Sequence, residues 1–577
     1  MAVYKTDLQD IYFNLFDFCG VQEEAKELGY GEAELRDIVD QFDKFVGNEI
    51  YPTRVPGDEI GVKLVDGHVR VPEVFKPLNK NFYENGWYAL GYPEDIGGMP
   101  APHAVKVACY SLAIGANVGW SMYFGLTQGA MNVIHKVGSQ EQKDLFIPKM
   151  MEGSWGGTMC LTEPGAGSDV GASKTTAKPT DDGRYEINGV KIFISSGESD
   201  LYENNVHLVL ARTPGSPEGV KGLSLFIVPR FRINDDGTVG DYNGVKCTKI
   251  EEKMGIHGSA TCELTFGQDE KCYGEMIGKE HQGIMNMFIM MNEARLLCGL
   301  QGESQANLAF MLTEQYARER GQFGTEIINL PDVKRTLIKM RSTARGFRAL
   351  GLYTANLFDA AEKGDKNAEA EIAFFTPICK AFMSDEGFNV SVDAVQVHGG
   401  YGYCTEYGIE QFIRDTKIAS IYEGTNGIQA IDFVMRKILK DEAKTFFSVG
   451  EKMKAIMNSE EAKSWPHEVS MIGKSMEMSE LVVKKMGKQM MDKNEGAVLA
   501  HATDFMNYCG NLVVAWLLLE HACIAKKKID SAEGDLKKYY QSKMDDFKVF
   551  CQYQLTRNIG LANSVLNFEE DLTTMSV

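Results

Sequence analysis

Residues 185–197 read YEINGVKIFISSG, and what this stretch forms decides the architecture of the chain. Asn188-Gly189 tolerates the positive φ angles of a type I′ turn, and Val190, Ile192 and Ile194 alternate after it, so the spacing predicts a β-hairpin over residues 186–195. The pattern continues outward. Residues 206–210, 223–228 and 262–266 are short apolar runs separated by turns rich in Asp, Gly and Pro, and read as further strands. A β domain of about 110 residues is expected from Thr158 to about Phe266.

On either side the apolar period changes from two to about 3.6. Upstream, Leu35, Ile38, Val39, Phe42 and Val46 recur at helical spacing within residues 31–50, and residues 104–114 form a second helical stretch. Downstream, proline thins out: thirteen of the sixteen lie before residue 230, leaving Pro331, Pro377 and Pro466. An internal proline costs a helix about 3 kcal/mol. The proline-poor segments 283–317, 333–362, 371–397 and 408–440 therefore predict four helices of one bundle. Residues 441–577 read as more helix. The expected fold class is α+β multidomain: an N-terminal helical domain (1–157), a central β-barrel-like domain (158–278), a C-terminal four-helix bundle (279–440) and an additional C-terminal helical domain (441–577).

A chain of 577 residues is too long for a single small binding module. Against 60 Lys plus Arg stand 80 Asp plus Glu, a net charge of −20 that argues against nucleic acid as the main partner. The twelve cysteines contain no Cys-x-x-Cys pair, so reduced thiols in a cytoplasm are expected. The ten histidines show no ligand spacing, and no metal is expected. The N-terminus carries Lys5, Asp7, Asp10 and Asp17 and lacks the pattern of a signal peptide. The longest apolar run, 512–519, stops at Glu520 and His521, which fits a core helix and no transmembrane segment. Lys526 to Lys528 read as a solvated helix face, with contact to a membrane surface as the alternative.

Four segments carry chemistry. LTEPGAGSDVG (161–171) sets Gly165, Gly167 and Gly171 among hydroxyls and carboxylates, either a tight turn or a cradle whose backbone N–H groups reach a ligand. It is not the dinucleotide fingerprint, since Val170 stands in place of the third glycine. QVHGGYGY (396–403) reads as a helix C-cap or as a second such cradle. RERGQFG (318–324) ends a helix with cations that offset its dipole or bind phosphate through Arg320. IYEGTNGIQAID (421–432) holds a lone carboxylate, Glu423, between apolar residues just before Gly424, Thr425 and Asn426, which read as the cap of a following helix. Glu423 is either a helix-terminal charge or a desolvated general base with a raised pKa.

Taken in order, LTEPGAGSD, NGVKIFISSG, RERGQFG, QVHGGYGY and RDTKIASIYEGTNGIQ resemble the acyl-CoA dehydrogenase family over about residues 31–439. INLPDVKR (328–335) and the added helical region are similar to its large bacterial members. The resemblance implies FAD as cofactor, an acyl-CoA thioester as substrate and a trans-2-enoyl-CoA as product, with hydride passing to flavin N5. It makes Glu423 the base that removes the α-proton. Some members carry the base on the helix just before an arginine; here that position is Ala294, beside Arg295, and Glu293 is one residue off register.

By the same resemblance Thr162, Gly167 and Ser168 lie against the isoalloxazine ring, Ser168 also near the acyl-CoA. Phe193 and Ser195 stand where the family commonly has Trp and Thr, and supply an aromatic face and a hydroxyl for the N5 edge. Arg320, Phe323, Gln396, Gly399 and Gly400 match residues that bind the adenylate and pyrophosphate of FAD across a subunit interface. Thr425 matches another flavin contact, and Arg295, Tyr422 and Gly424 match substrate contacts. Leu330-Pro331 replaces a His-Gln pair of many relatives, and no role carries over to it. An electron-transfer flavoprotein as acceptor and a homodimer are implied, the extra domain covering the surface where smaller members pair their dimers. An acyl-CoA oxidase, with oxygen as acceptor, and a non-catalytic flavin-binding relative are the alternatives; the acidic charge and the intact Glu423 disfavour the latter.

Overall fold

In the computed structural model, which describes residues 3–568 and 572–577 and the backbone alone over 289–292, residues 185–195 form one continuous strand. The expected hairpin at Asn188-Gly189 is absent. Neither residue takes a positive φ; Asn188 pairs with Thr176 and Gly189 with Phe266. Glycine is required there by crowding, since a Cβ at 189 would lie 2.3 Å from the Thr175 hydroxyl. The turn sits earlier, at residues 180–184, where Gly183 has φ +84° and the Thr180 N–H donates to the Arg184 carbonyl at 2.9 Å. Asn-Gly permits a turn without compelling one, and here strands on both flanks supply its ladder partners.

The chain divides into two compact units. The second, Lys44–Ala101 with Ala116–Ala294, is built on an eight-stranded sheet. Its strands are β1 (Trp155–Cys160), β2 (Thr176–Pro179), β3 (Tyr185–Ser195), β4 (Asn204–Arg212), β5 (Leu223–Pro229), β6 (Val245–Ile250), β7 (Thr261–Phe266) and β8 (Cys272–Met276). They lie in the order β6-β7-β3-β8-β5-β4-β1, with β2 beside β3 and β4. Pairing is antiparallel except for β1 with β4 and a single β2 to β4 contact. Helix α1 (Val118–Val137) packs on β1 because Gly157 leaves room; a Cβ there would meet Ala130 at 2.6 Å.

The first unit, Met1–Asp43, Pro102–Gly115 and Arg295–Val577, is helical. From Arg295 onward α2 (Gly283–Glu319) runs against α3 (Pro331–Glu362) and α4 (Lys366–His398). Gly299 and Gly302 let α2 approach α4 backbone to backbone, since Cβ atoms there would lie 2.4 and 2.2 Å from the Cys379 and Met383 carbonyls. Pro331 opens α3 at the first turn, where its missing N–H is harmless, and Pro377 is carried inside α4. The fourth expected helix, 408–440, is broken. It consists of Gln411–Thr416, a 3₁₀ turn Lys417–Ser420, α5 (Asn426–Asp432) and π-helical turns Phe433–Leu439. The break falls at Glu423 (φ +56°) and Gly424 (φ +83°), two consecutive left-handed residues through which no right-handed helix passes.

Beyond lie α6 (Lys444–Met457), α7 (Pro466–Met491), α8 (Ala502–Lys528), α9 (Gly534–Tyr553) and α10 (Asn558–Leu566). Ala502–Ser531 is long and apolar enough to cross a membrane, yet 89% of its most apolar stretch is buried within the protein. It meets the bundle closely: a Cβ on Gly346 of α3 would lie 2.5 Å from Val514. A charged cluster ties the N-terminal segment, α3 and α9 together. Buried Asp10 accepts hydrogen bonds from Lys543 (2.6 Å), Arg348 (2.9 Å) and Tyr539 (2.9 Å), while Arg345 binds Asp7 at 2.7 Å and Asp546 at 2.9 Å.

Candidate functional site

The helix break delivers Glu423. Its carbonyl accepts from Gln429 Nε2 at 3.1 Å, and Thr425 caps α5 by accepting from the Ile428 N–H at 3.2 Å. A side chain on Gly424 would meet that same Gln429 at 2.6 Å, so residue 424 is held to glycine by φ and by space. Glu423 is half-buried, and protein packed around its carboxyl pushes the pKa up, with Arg295 and Lys380 opposing the shift. Among the described residues its backbone N–H donates no backbone hydrogen bond, which leaves a donor beside the carboxyl. Arg295 is buried, lies 3.8 Å from Asp432 and keeps its Nε unpaired. The Tyr422 hydroxyl donates to Gln301 Oε1. The off-register Glu293 accepts instead from Asn132 Nδ2 at 2.6 Å.

Thr162, Ser168, Phe193 and Ser195 belong to the sheet unit. The Thr162 carbonyl accepts from the Ile192 N–H at 2.9 Å, which ties the 161–171 turn to β3. Gly165 and Gly167 face open space, and Ser168 is exposed. Between Lys191 and Ile194 strand β3 carries one residue more than β7 opposite it. The bulge puts Phe193 at φ +58° and leaves the residue 59% exposed, with Ser195 half-buried two residues on. An exposed aromatic face, a hydroxyl and an open glycine turn are what a planar ring with polar edges needs.

The helix ends form a third group. A pocket of about 460 Å³ is lined by Arg320, Tyr316, His398, Gly399, Gly400 and Tyr401, among others. The Arg320 guanidinium stands 5.2 Å over the Tyr401 ring, and Tyr316 stacks on His398 at 4.1 Å. Gly399 ends α4 with φ +63°. Phe323 is 90% exposed and Gln396 is exposed on the last turn of α4; neither lines the pocket.

Sequence reasoning missed the supports. Lys191, fully buried, pairs with Glu163 at 2.7 Å, and Glu163 also accepts from the Lys174 and Thr175 N–H groups at 2.6 and 3.1 Å. Charges inside an apolar strand and a glycine turn were the available signal. Burial pushes Glu163 up, but Lys191 outweighs it and holds the carboxyl below its usual range. Lys191→Met strands this charge and is expected to cost about 3 kcal/mol in denaturant unfolding at neutral pH. Without the cation burial dominates and Glu163 favours its protonated form, so the deficit should begin to shrink as pH falls toward the ordinary glutamate value of about 4.3, and shrink further below it as wild type loses the contribution of its depressed carboxyl. An unchanged unfolding midpoint would contradict the role of the pair. Lys380 and Gln301 were likewise not singled out, and Asn426 was read only as part of a helix cap.

Comparison with known proteins accounts for almost the whole length. Residues 32–154, 158–268 and 281–439 match the N-terminal, middle and C-terminal domains of acyl-CoA dehydrogenase, and residues 449–576 match "Acetyl-CoA dehydrogenase C-terminal like". The chain is 34% identical to the 3-methylmercaptopropionyl-CoA dehydrogenase of Ruegeria pomeroyi, with 100% of each covered. It is 34% identical to the broad-specificity linear acyl-CoA dehydrogenase FadE5 of Mycobacterium tuberculosis, over 99% of this chain and 100% of that one. The crystal structure of an acyl-CoA dehydrogenase complexed with FAD from Bacillus anthracis shares the fold, with a TM-score of 0.75 and 24% identity over 94% of this chain and 89% of that one.

Proposed function

The chain belongs to the acyl-CoA dehydrogenase family, and on that premise we propose that it oxidises an acyl-CoA thioester to the trans-2-enoyl-CoA with FAD as cofactor and Glu423 as the base. The observation that carries the proposal is Glu423: a half-buried carboxyl on a forced left-handed kink, its pKa raised by burial, beside a backbone N–H without a backbone acceptor. The residues present fit FAD. Phe193, Ser195, Thr162 and the open turn at Gly167 and Ser168 would hold the ring system, and Arg320 with Gly399 and Gly400 the phosphates, Phe323 and Gln396 lying exposed nearby for a partner subunit's cofactor. When bound, the flavin accepts the hydride that leaves Cβ.

The chain's own residues do the rest. An α C–H of a thioester is too weak an acid for a solvated carboxylate, so the base must be desolvated and the carbonyl polarised. Burial meets the first need at Glu423, and its N–H is a donor for the second. Arg295, Tyr422 and Gly424 bound the same loop and orient the acyl group, while Thr425 fixes the start of α5. The enzyme works in the cytoplasm as a homodimer and passes electrons to an electron-transfer flavoprotein.

Its relatives act on different acyl groups, so the test is a panel of acyl-CoAs: straight chains of short, medium and long length, with 3-methylmercaptopropionyl-CoA. Purified protein is expected to be yellow, and at least one thioester should bleach its flavin anaerobically with formation of the enoyl product. Colourless protein that takes up no added FAD overturns the reading. Hydrogen peroxide formed in air at the rate of turnover would mark an oxidase instead.

A further inference from the structure

The oddest charge in the bundle is Lys380. It sits mid-way along α4 with none of its surface exposed, and its ammonium makes one hydrogen bond, to Asn426 Oδ1 at 2.8 Å. Among the described residues no carboxylate oxygen forms an ion pair with it. A buried ammonium with two donors unused costs stability, and a packed apolar side chain would do better at holding two helices together. The cost points to a task at the position it faces.

Asn426 is the first residue of α5, three after Glu423. Its side chain is spent entirely on α4: Nδ2 donates to the Ala381 carbonyl at 3.2 Å and to Ser384 Oγ at 3.0 Å, while Oδ1 receives Lys380. Those bonds pin the start of α5, and with it the place where the chain must turn left-handed at residues 423 and 424. The groups that act on Glu423 come from three elements. From α2 there are Arg295, itself facing Asp432, and the thiol of Cys298; from α4 there is Lys380, with Asp385 beyond it; from its own segment there is Tyr422.

We propose that Lys380 is a positioning residue for Glu423: through Asn426 it fixes the kink that presents the carboxyl, and its ammonium adds positive charge to the carboxyl's surroundings. The inference rests on Glu423 being the proton acceptor. Burial pushes the carboxyl toward its neutral form, and Arg295 and Lys380 oppose that push without cancelling it.

The test uses the FAD-loaded enzyme with Lys380→Gln, Lys380→Met and Lys380→Arg; two neutral replacements keep the question open to an answer if one misfolds. The carboxyl carbon of Glu423 is followed by NMR after ¹³C-glutamate labelling, its signal assigned by its absence in Glu423→Gln. Both neutral variants should titrate at higher pH than wild type, and Lys380→Arg should return the midpoint toward it. Bleaching by the best acyl-CoA should fall about tenfold at pH 6 and stay within about twofold at pH 9. An unmoved midpoint, or an equal fractional loss at every pH, overturns the proposal. If Glu423→Gln itself bleaches like wild type, the assignment of the base has failed. If that variant is inert and the Lys380 midpoints do not move, only this inference has.

Discussion

Glu423→Gln is expected to stay yellow and to lose between about 10²- and 10⁴-fold in the rate of anaerobic flavin bleaching, the range a positioned general base contributes. The substitution keeps the length of the side chain and removes only its capacity to take a proton. The backbone should not change, because the kink is imposed by Gly424 and by the capping of α5 through Thr425 and Asn426, none of which uses the Glu423 carboxyl. Flavin binding should survive for the same reason. Among the described residues of the helical unit, Asp432 on α5 is engaged by Arg436 at 3.1 Å. Stopped-flow absorbance at the flavin band is the measurement, and a rate within tenfold of wild type would remove Glu423 from the mechanism.

A second large effect concerns stability. Asp10→Asn should destabilise the helical unit by about 3–5 kcal/mol, the cost of leaving buried cations without their carboxylate. Burial pushes Asp10 up, but Lys543, Arg345 and Arg348 outweigh it and hold the carboxyl far below the usual range. Asp7, Asp546 and Glu303 neutralise part of the remaining charge, yet Lys543 has its closest partner in Asp10. The pH dependence follows from the sign of the shift. A carboxyl with a depressed folded-state pKa contributes fully above its unfolded value of about 3.9 and loses that contribution as pH falls toward the folded one. The gap between wild type and variant in urea should therefore be constant from pH 7 to about pH 5 and close only in stronger acid. A gap below about 1 kcal/mol at pH 7 would mean the cluster is not what secures residues 7–10 to α3 and α9.

The same two sites show how far pattern reading reaches. Periodicity identified α2, α3 and α4 to within a few residues, because each buries a long stripe; Pro331 stands at the tolerated first turn of α3, while α4 carries Pro377 in its interior. It failed at 408–440, where apolar spacing continues through the kink: helical period is a property of side-chain placement, and two left-handed residues interrupt the backbone without disturbing it. It failed again at Asn188-Gly189, where the glycine serves the close approach of Thr175 and no turn forms. At the site, the resemblance carried over Glu423, Phe193 and Arg320, while Lys191 and Lys380 stayed silent and Asn426 was legible only as part of a helix cap.

By itself the sequence determined the helix, sheet, helix order of the chain, its acidity, and the four glycine-bearing segments that carry its chemistry, since these follow from local pattern and composition. Only the tertiary structure decided that Glu423 sits on a kink, that Phe193 is thrust out by a bulge, and that Lys380 and Lys191 are buried. Each of those depends on what packs against a residue from tens of positions away: burial, charge compensation and backbone strain are set by neighbours in space, and a one-dimensional pattern holds no record of them.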